Sequence, residues 1–298
     1  MPQILLKNAI VKRLAELDYQ RPSDIEIPTA AHSIKSSILN SYADVQIKHH
    51  HSFEVTMTCR QFAECLYADF YHGYERILTQ NNCLPALLNE NNTPAAWSLV
   101  TAYYSAFFAA IEIGKILGRL NTHIEQSQCS QIQGSSNNFF QGRLEAGNYL
   151  GAARLGTHQD EVIIRFNSSG ERPHQMAWKN LSDVFPNTDG KNLSSARQQQ
   201  IKLFKEIISN DSKSRWPTPS EVRNQWNYSN ANYYGPLGEE YASVFAKLAL
   251  SKKGCYSWAA NKRLSPNEKN IATSIAFVNT VLLDVIENIK PKIIGSFG

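Results

Sequence analysis

The chain has 298 residues, enough for one large domain or two smaller ones, and 42% of them are hydrophobic, ample for a core. Only 19% are charged, and the net charge of +4 is mildly basic, compatible with nucleic acid without demanding it. The five cysteines (Cys59, Cys65, Cys83, Cys129 and Cys255) are an odd, scattered set with no CxxC pair, which suggests neither a zinc ribbon nor a disulfide framework. Reduced thiols in a cytoplasmic protein are expected instead. No GxGxxG, GxxxxGK[ST] or GxSxG motif occurs, so the common nucleotide-hydrolase and esterase chemistries are excluded as well.

The N-terminus, MPQILLKNAIVKRLAELD, alternates apolar and basic residues, and no signal peptide is expected. Ile4, Leu5, Ile10, Val11, Leu14 and Leu17 have helical spacing, and residues 29–41 form a second candidate helix. From Val45 to Met57 the period becomes two, which predicts a strand or a β-hairpin arm. Within it lie His49, His50 and His51. On a strand only His49 and His51 share a side, so no metal site is expected.

Thr58 and Gln61 fit the capping pattern of a helix running to about Thr79, with Phe62, Leu66, Tyr67, Phe70, Tyr74 and Leu78 along one stripe. The polar NNCLPALLNENN then leads into the stretch Thr93–Leu120. Thr93 and Pro94 suit a helix start, and no charge occurs between Pro94 and Ile111. A helix apolar on nearly every face is either buried or membrane-spanning. Its Ala, Ser, Thr and Tyr content, and the lack of a second such run, point to a buried central helix and no membrane.

Residues 121–156 read as loop, with room for a short helix within Phe139–Leu150. Glu161–Phe166 reads as a strand, residues 167–172 as its turn, and His174–Val184 as a helix. Further helices are predicted at Ala196–Ser209, from Pro219 to a break at Gly235-Pro236, at Glu239–Leu250, and at Pro266–Ile289 behind the Ser265/Glu268 capping pair. The expected fold is mainly α: a helical bundle with a small β-hairpin or short-strand insertion. Residues 1–58 would form an N-terminal helix and β arm, and 59–298 the bundle, with an insertion at about 121–190.

One stretch carries chemistry, Thr218-Pro-Ser-Glu-Val-Arg-Asn-Gln-Trp-Asn-Tyr-Ser229. Thr218 and Glu221 form a capping box, placing Arg223 and Asn224 in the second helical turn. Arg223 and Asn227, and likewise Asn224 and Tyr228, stand four apart on adjacent strips. A guanidinium beside amide and phenol groups suits a phosphodiester, because it donates two parallel bonds to phosphate oxygens. The competing structural reading has Arg223 and Asn224 bonding neighbouring loops while Trp226 packs in the core.

The pair Ala102-Tyr-Tyr-Ser-Ala-Phe-Phe-Ala-Ala110 and Arg223-Asn-Gln-Trp-Asn-Tyr228 resembles the HEPN superfamily of all-α nucleotide- and RNA-binding domains. The resemblance covers about residues 60–120 and 195–290. It implies an HEPN-like bundle acting on RNA as a metal-independent, cofactor-free endoribonuclease, by 2′-hydroxyl attack that leaves a cyclic phosphate. It also implies a homodimer whose two motifs share a cleft, or a complex with a partner protein of a prokaryotic defence or toxin–antitoxin system. Arg223, Asn224 and Tyr228 would be catalytic, with Asn227 joining Arg223 in RNA binding.

The sequence departs from the active pattern at Tyr228, which stands where such members have His. A general base works best with a pKa near the working pH, and an unperturbed Tyr lies near 10. Either His123, His158 or His174 replaces the missing base, or Arg223 and Asn224 stabilise the phosphorane largely unaided. The third possibility is a catalytically silent adaptor, with the inserted segment and the β arm as partner surfaces.

Overall fold

The alternation at Val45–Met57 marks one corner of a sheet much larger than a hairpin. The computed structural model describes all residues except 24–26, 91–92, 137–139, 141, 159, 188–191, 210, 212–213 and 296–298. Strands β1 (Asp44–His49), β2 (Ser52–Thr58), β3 (Arg119–Ile124), β4 (Gly147–Leu155) and β5 (Glu161–Ser169) form one sheet in the order β1-β2-β5-β4-β3. Every pairing is antiparallel, and the arm folds back at His50-His51 with a register shift between Ile47 and His49.

The helices are α1 (Pro2–Glu16), α2 (Ile34–Leu39), α3 (Cys59–Asn89), α4 (Ala95–Ile116), α5 (Gln126–Ser135), α6 (Pro173–Val184), α7 (Ser195–Ile208), α8 (Pro219–Asn224), α9 (Pro236–Leu248), α10 (Lys252–Ala259) and α11 (Glu268–Ile293). Helix predominates, but the five-stranded sheet overturns the mainly α, all-α expectation of a bundle with a small β insertion. The chain has a mixed α/β fold.

The reason lies in β3 and β4. The sequences RLNTHI and GNYLGAARL carry two glycines, show no sustained alternation, and have Thr122 and Ile124 as their only β-branched residues, so local propensity reads them as loop. Pairing with β5 makes them strands. Gly151 is required by that pairing: a Cβ there would collide with the ring of Phe166, which stacks on Phe53 at 4.7 Å between centroids. Of the short helix expected within Phe139–Leu150, residues 139 and 141 lie outside the described residues, and 147–150 are strand.

Two compact units result. The sheet unit comprises Ala9–Gly73, Ile111–Asn180 and Ile289–Gly298, and the helical unit Met1–Asn8, Tyr74–Ala110 and Leu181–Asn288. In the sheet unit, Phe53, Val55, Val162, Ile164, Phe166 and Tyr149 are buried in a core with Ile38 of α2, Phe62 of α3 and Ile132 of α5. The segment expected to be loop thus supplies two strands and a helix. In the helical unit, Phe277 of α11 is fully buried, with Phe204 at 6.1 Å, Tyr256 at 6.2 Å and Trp258 at 6.1 Å between ring centroids.

The central helix differs from expectation at both ends. The Ala95 N–H at its start donates to the Glu239 carboxylate at 2.8 Å, while the Thr93 hydroxyl donates to Glu90. A carboxylate on the free amides of a helix start is stabilised by the exposed N–H groups and the helix dipole. At the other end Gly118, with φ +82, turns the chain into β3. Nor is α4 unique: α4 and α11 are both long and apolar enough to cross a bilayer, although 72% and 67% of their most apolar windows are buried inside the fold.

A charged trio braces the sheet unit. Lys115 lies 3.4 Å from Asp69 and 3.0 Å from Glu112, with all three side chains largely out of water. Burial alone would lower the Lys115 pKa, but the two carboxylates outweigh it and hold the ammonium above its ordinary range. Gly73 leaves space for the Glu112 side chain, with which a Cβ would collide. Lys115→Met, which strands two buried carboxylates, is expected to destabilise the protein by about 3 kcal/mol in urea denaturation at neutral pH, with part of the loss regained in mild acid.

Candidate functional site

The second Thr-Pro stretch begins as its spacing predicts. Thr218 accepts the Glu221 N–H, and Glu221 in return accepts the Thr218 N–H at 2.7 Å, with Pro219 at the first helical position. Helix α8 then lasts only six residues. Gln225–Ser229 continues as a π-helical turn, a rare winding that clusters at functional sites. Trp226 within it is fully buried against Tyr233, 4.5 Å between ring centroids, and anchors the segment to the helical unit.

The π turn changes which side chains meet. In place of the expected Arg223/Asn227 and Asn224/Tyr228 pairs, it brings Arg223 to Tyr228, five residues on, and Ser229 to the Asn224 carbonyl. Arg223 Nη1 donates to Asn224 Oδ1 at 3.0 Å, and Nη2 donates to the hydroxyls of Tyr228, at 3.2 Å, and Tyr104. The guanidinium carbon lies 4.8 Å from the Tyr228 ring centroid and 5.4 Å from that of Tyr104. Arg223 is therefore held between two aromatic faces by cation–π attraction.

Arg223 retains 9% of its accessible surface, whereas Tyr228 keeps 71% and Asn224 is exposed. The Nε–H of Arg223 is buried without a partner. Asn227 stands apart from the guanidinium, accepting from the Tyr234 hydroxyl at 3.2 Å. The structure thus gathers Arg223, Asn224 and Tyr228 and places Asn227 beside them. Trp226 is core, as the structural reading expected, but Arg223 bonds tyrosines rather than loops.

Sequence reasoning missed the aromatic partners. Helix α4 is not buried all round. Trp97, Thr101, Tyr104 and Phe108 are the residues of Ala95–Ala110 that keep appreciable exposure, and they fall on one strip. Trp97 also meets Tyr234 edge-on, 6.1 Å between centroids. A signal existed: at that 4-3-4 spacing, none of the four is aliphatic.

The histidines contribute elsewhere. His50 Nδ1 lies 2.8 Å from the Arg143 carbonyl, His49 Nδ1 accepts the His51 N–H, and His51 lies 3.6 Å from Glu145. Among the described residues no cluster of three His, Cys, Asp or Glu could hold a metal ion. His123 pairs with Asn148 at 2.9 Å, and His123, His158 and His174 all belong to the sheet unit. The helical unit has no histidine in its sequence.

Burial pushes Cys65, in the sheet unit, up to about 12 despite its bond with Ser37, and burial likewise raises Cys255 in the helical unit. Within the sheet unit, a cleft of about 450 Å³ is rimmed by Glu16, Asp18, Arg21, Arg60, Glu64 and Asp160. Its mixed charges include the Arg60–Glu64 pair and offer no convergent site.

No protein-family model, no curated protein and no solved structure matches this chain. Its chemistry must be read from the geometry. Tyr104→Phe, which removes the hydroxyl accepting from Arg223, is expected to lower stability by about 1–2 kcal/mol in thermal or urea unfolding. Thr101→Ala, on the same open strip without a bond to Arg223, should change it by less than about 0.5 kcal/mol.

Proposed function

We propose that the helical unit is an HEPN-type RNA-binding module in which Arg223 holds a phosphodiester of RNA. The supporting observation is the guanidinium seated between Tyr104 and Tyr228 with no ion pair among the described residues. A cation largely withdrawn from water and given only aromatic faces, hydroxyls and an amide is uncompensated, and a phosphate completes it. Asn224 and Tyr228 lie at the solvent-facing rim, where a bound strand would touch them.

In the catalytic form of this reading the protein is a metal-independent endoribonuclease of a prokaryotic defence or toxin–antitoxin system. The ribose 2′-hydroxyl gives up its proton to solvent water as it attacks the adjacent phosphorus, Arg223 stabilises the phosphorane charge, and the 5′-oxygen takes up a proton as its bond to phosphorus breaks, leaving a cyclic phosphate. Because the Tyr228 oxygen accepts from Arg223, its own O–H is free to donate. Tyr228 therefore fits the acid that protonates the leaving oxygen better than the base that His would supply. Asn224 keeps the guanidinium oriented through Nη1.

A second reading has specific support. A helical unit without histidine offers no imidazole base of its own, which favours a catalytically silent adaptor that binds RNA or a defence-system partner protein. RNA cleavage in EDTA separates the two. The endoribonuclease should release cyclic-phosphate ends, lose all cleavage in Arg223→Ala, and slow by about 100-fold in Tyr228→Phe. Intact RNA that still co-migrates with the wild-type protein would leave the adaptor, and cleavage undiminished in Arg223→Ala would remove Arg223 from the chemistry.

A further inference from the structure

We propose that the open strip of α4, with Tyr234 and Tyr228 beside it, is a base-stacking platform that restricts the ligand to single-stranded RNA. The inference rests on the reading of Arg223 as the phosphate contact and adds the substrate class. Trp97 is 48% exposed, Tyr228 71% and Tyr234 37%, and Tyr104 and Phe108 are half-buried, while Trp226, Tyr233 and Tyr103 are buried. From Trp97 to Phe108 the strip runs about 16 Å at 1.5 Å per residue, room for two or three bases. Arg223 sits over Tyr104, within the strip rather than at its end.

The platform is braced in advance. Tyr234 meets Trp97 edge-on, and its hydroxyl donates to Asn227, so little freedom is lost when a base stacks. The surrounding polar groups are amides: Arg223–Leu237 contains four asparagines and no carboxylate. Amides offer both donors and acceptors to base edges and do not repel phosphates. The Glu239 carboxylate that follows is taken up at the amide of Ala95. In duplex RNA the base faces are stacked on one another and cannot reach such a surface, whereas a single strand can splay its bases onto it.

The test uses the full chain and a short fluorescein-labelled oligouridylate, read by fluorescence anisotropy at two salt concentrations. An RNA duplex of equal length serves as competitor. Trp97→Ala should weaken binding about tenfold without altering its salt dependence, because stacking carries no charge, and Trp97→Phe should retain most of the affinity. Arg223→Ala should weaken binding and lower the salt slope by about one. Oligouridylate should also quench wild-type tryptophan fluorescence, and Trp97→Phe should abolish that quenching.

Unchanged affinity in Trp97→Ala with loss in Arg223→Ala would overturn the platform and leave the phosphate contact standing. Loss in Trp97→Ala alone would keep the platform and remove Arg223. Equal affinity for the duplex would overturn single-strand selection. A wild-type dimer that Trp97→Ala disperses, with RNA affinity unaltered, would assign the strip to a second copy of this chain. Absence of binding by the wild type would end both proposals.

Discussion

A single guanidinium organises the candidate site of this protein. Arg223 is nine-tenths withdrawn from water, and among the described residues no carboxylate neutralises it. A buried cation is costly unless charge or hydrogen bonds compensate. Here the compensation comes from two tyrosine faces, two hydroxyls and one amide oxygen, none of which cancels a full charge. The π turn after α8 brings Tyr228 to the guanidinium, and the open strip of α4 brings Tyr104. Trp226, buried within the turn against Tyr233, anchors the turn. The positive charge is thereby aimed without being quenched, which is the condition an anion-binding site requires.

The sheet unit is governed by another constraint, the pairing requirement of backbone amides. Strand β5 is flanked by β2 and β4, and its ladder gives strand geometry to sequences with little preference for it. Buried N–H and C=O groups must be bonded, so the glycine-bearing β4, without a β-branched residue, is a strand because its neighbour offers a matching row of partners. The Asp69–Glu112–Lys115 trio does similar work for α3 and α4. Its charges are tolerated out of water because each carboxylate faces the same ammonium.

Local signals were readable where the chemistry is local. The Thr218/Glu221 capping box, the stripe of α3 from Phe62 to Tyr74, the stripe of the last helix from Ile271 to Ile289 and the alternation of β2 follow from spacing alone, since their causes lie within four residues. The composition of the candidate site was legible for the same reason, as Arg223, Asn224 and Tyr228 lie within six consecutive positions. The partners that define its geometry were not. Tyr104 is 119 residues away, and although the 4-3-4 strip without an aliphatic residue marks an open face of α4, nothing within that helix places the face beside Arg223.

The amino-acid order by itself determined the helices with strong stripes or caps, the lack of phosphate-loop and serine-elbow motifs, and the set of groups able to meet a phosphodiester. The tertiary structure decided that a polar run becomes sheet, that Glu239 rather than Thr93 meets the head of the central helix, and that Arg223 stacks between tyrosines instead of pairing along a regular α-helix. Those outcomes depend on atoms far apart in the chain and brought within a few ångströms, where a hydrogen bond or a ring contact outweighs local preference.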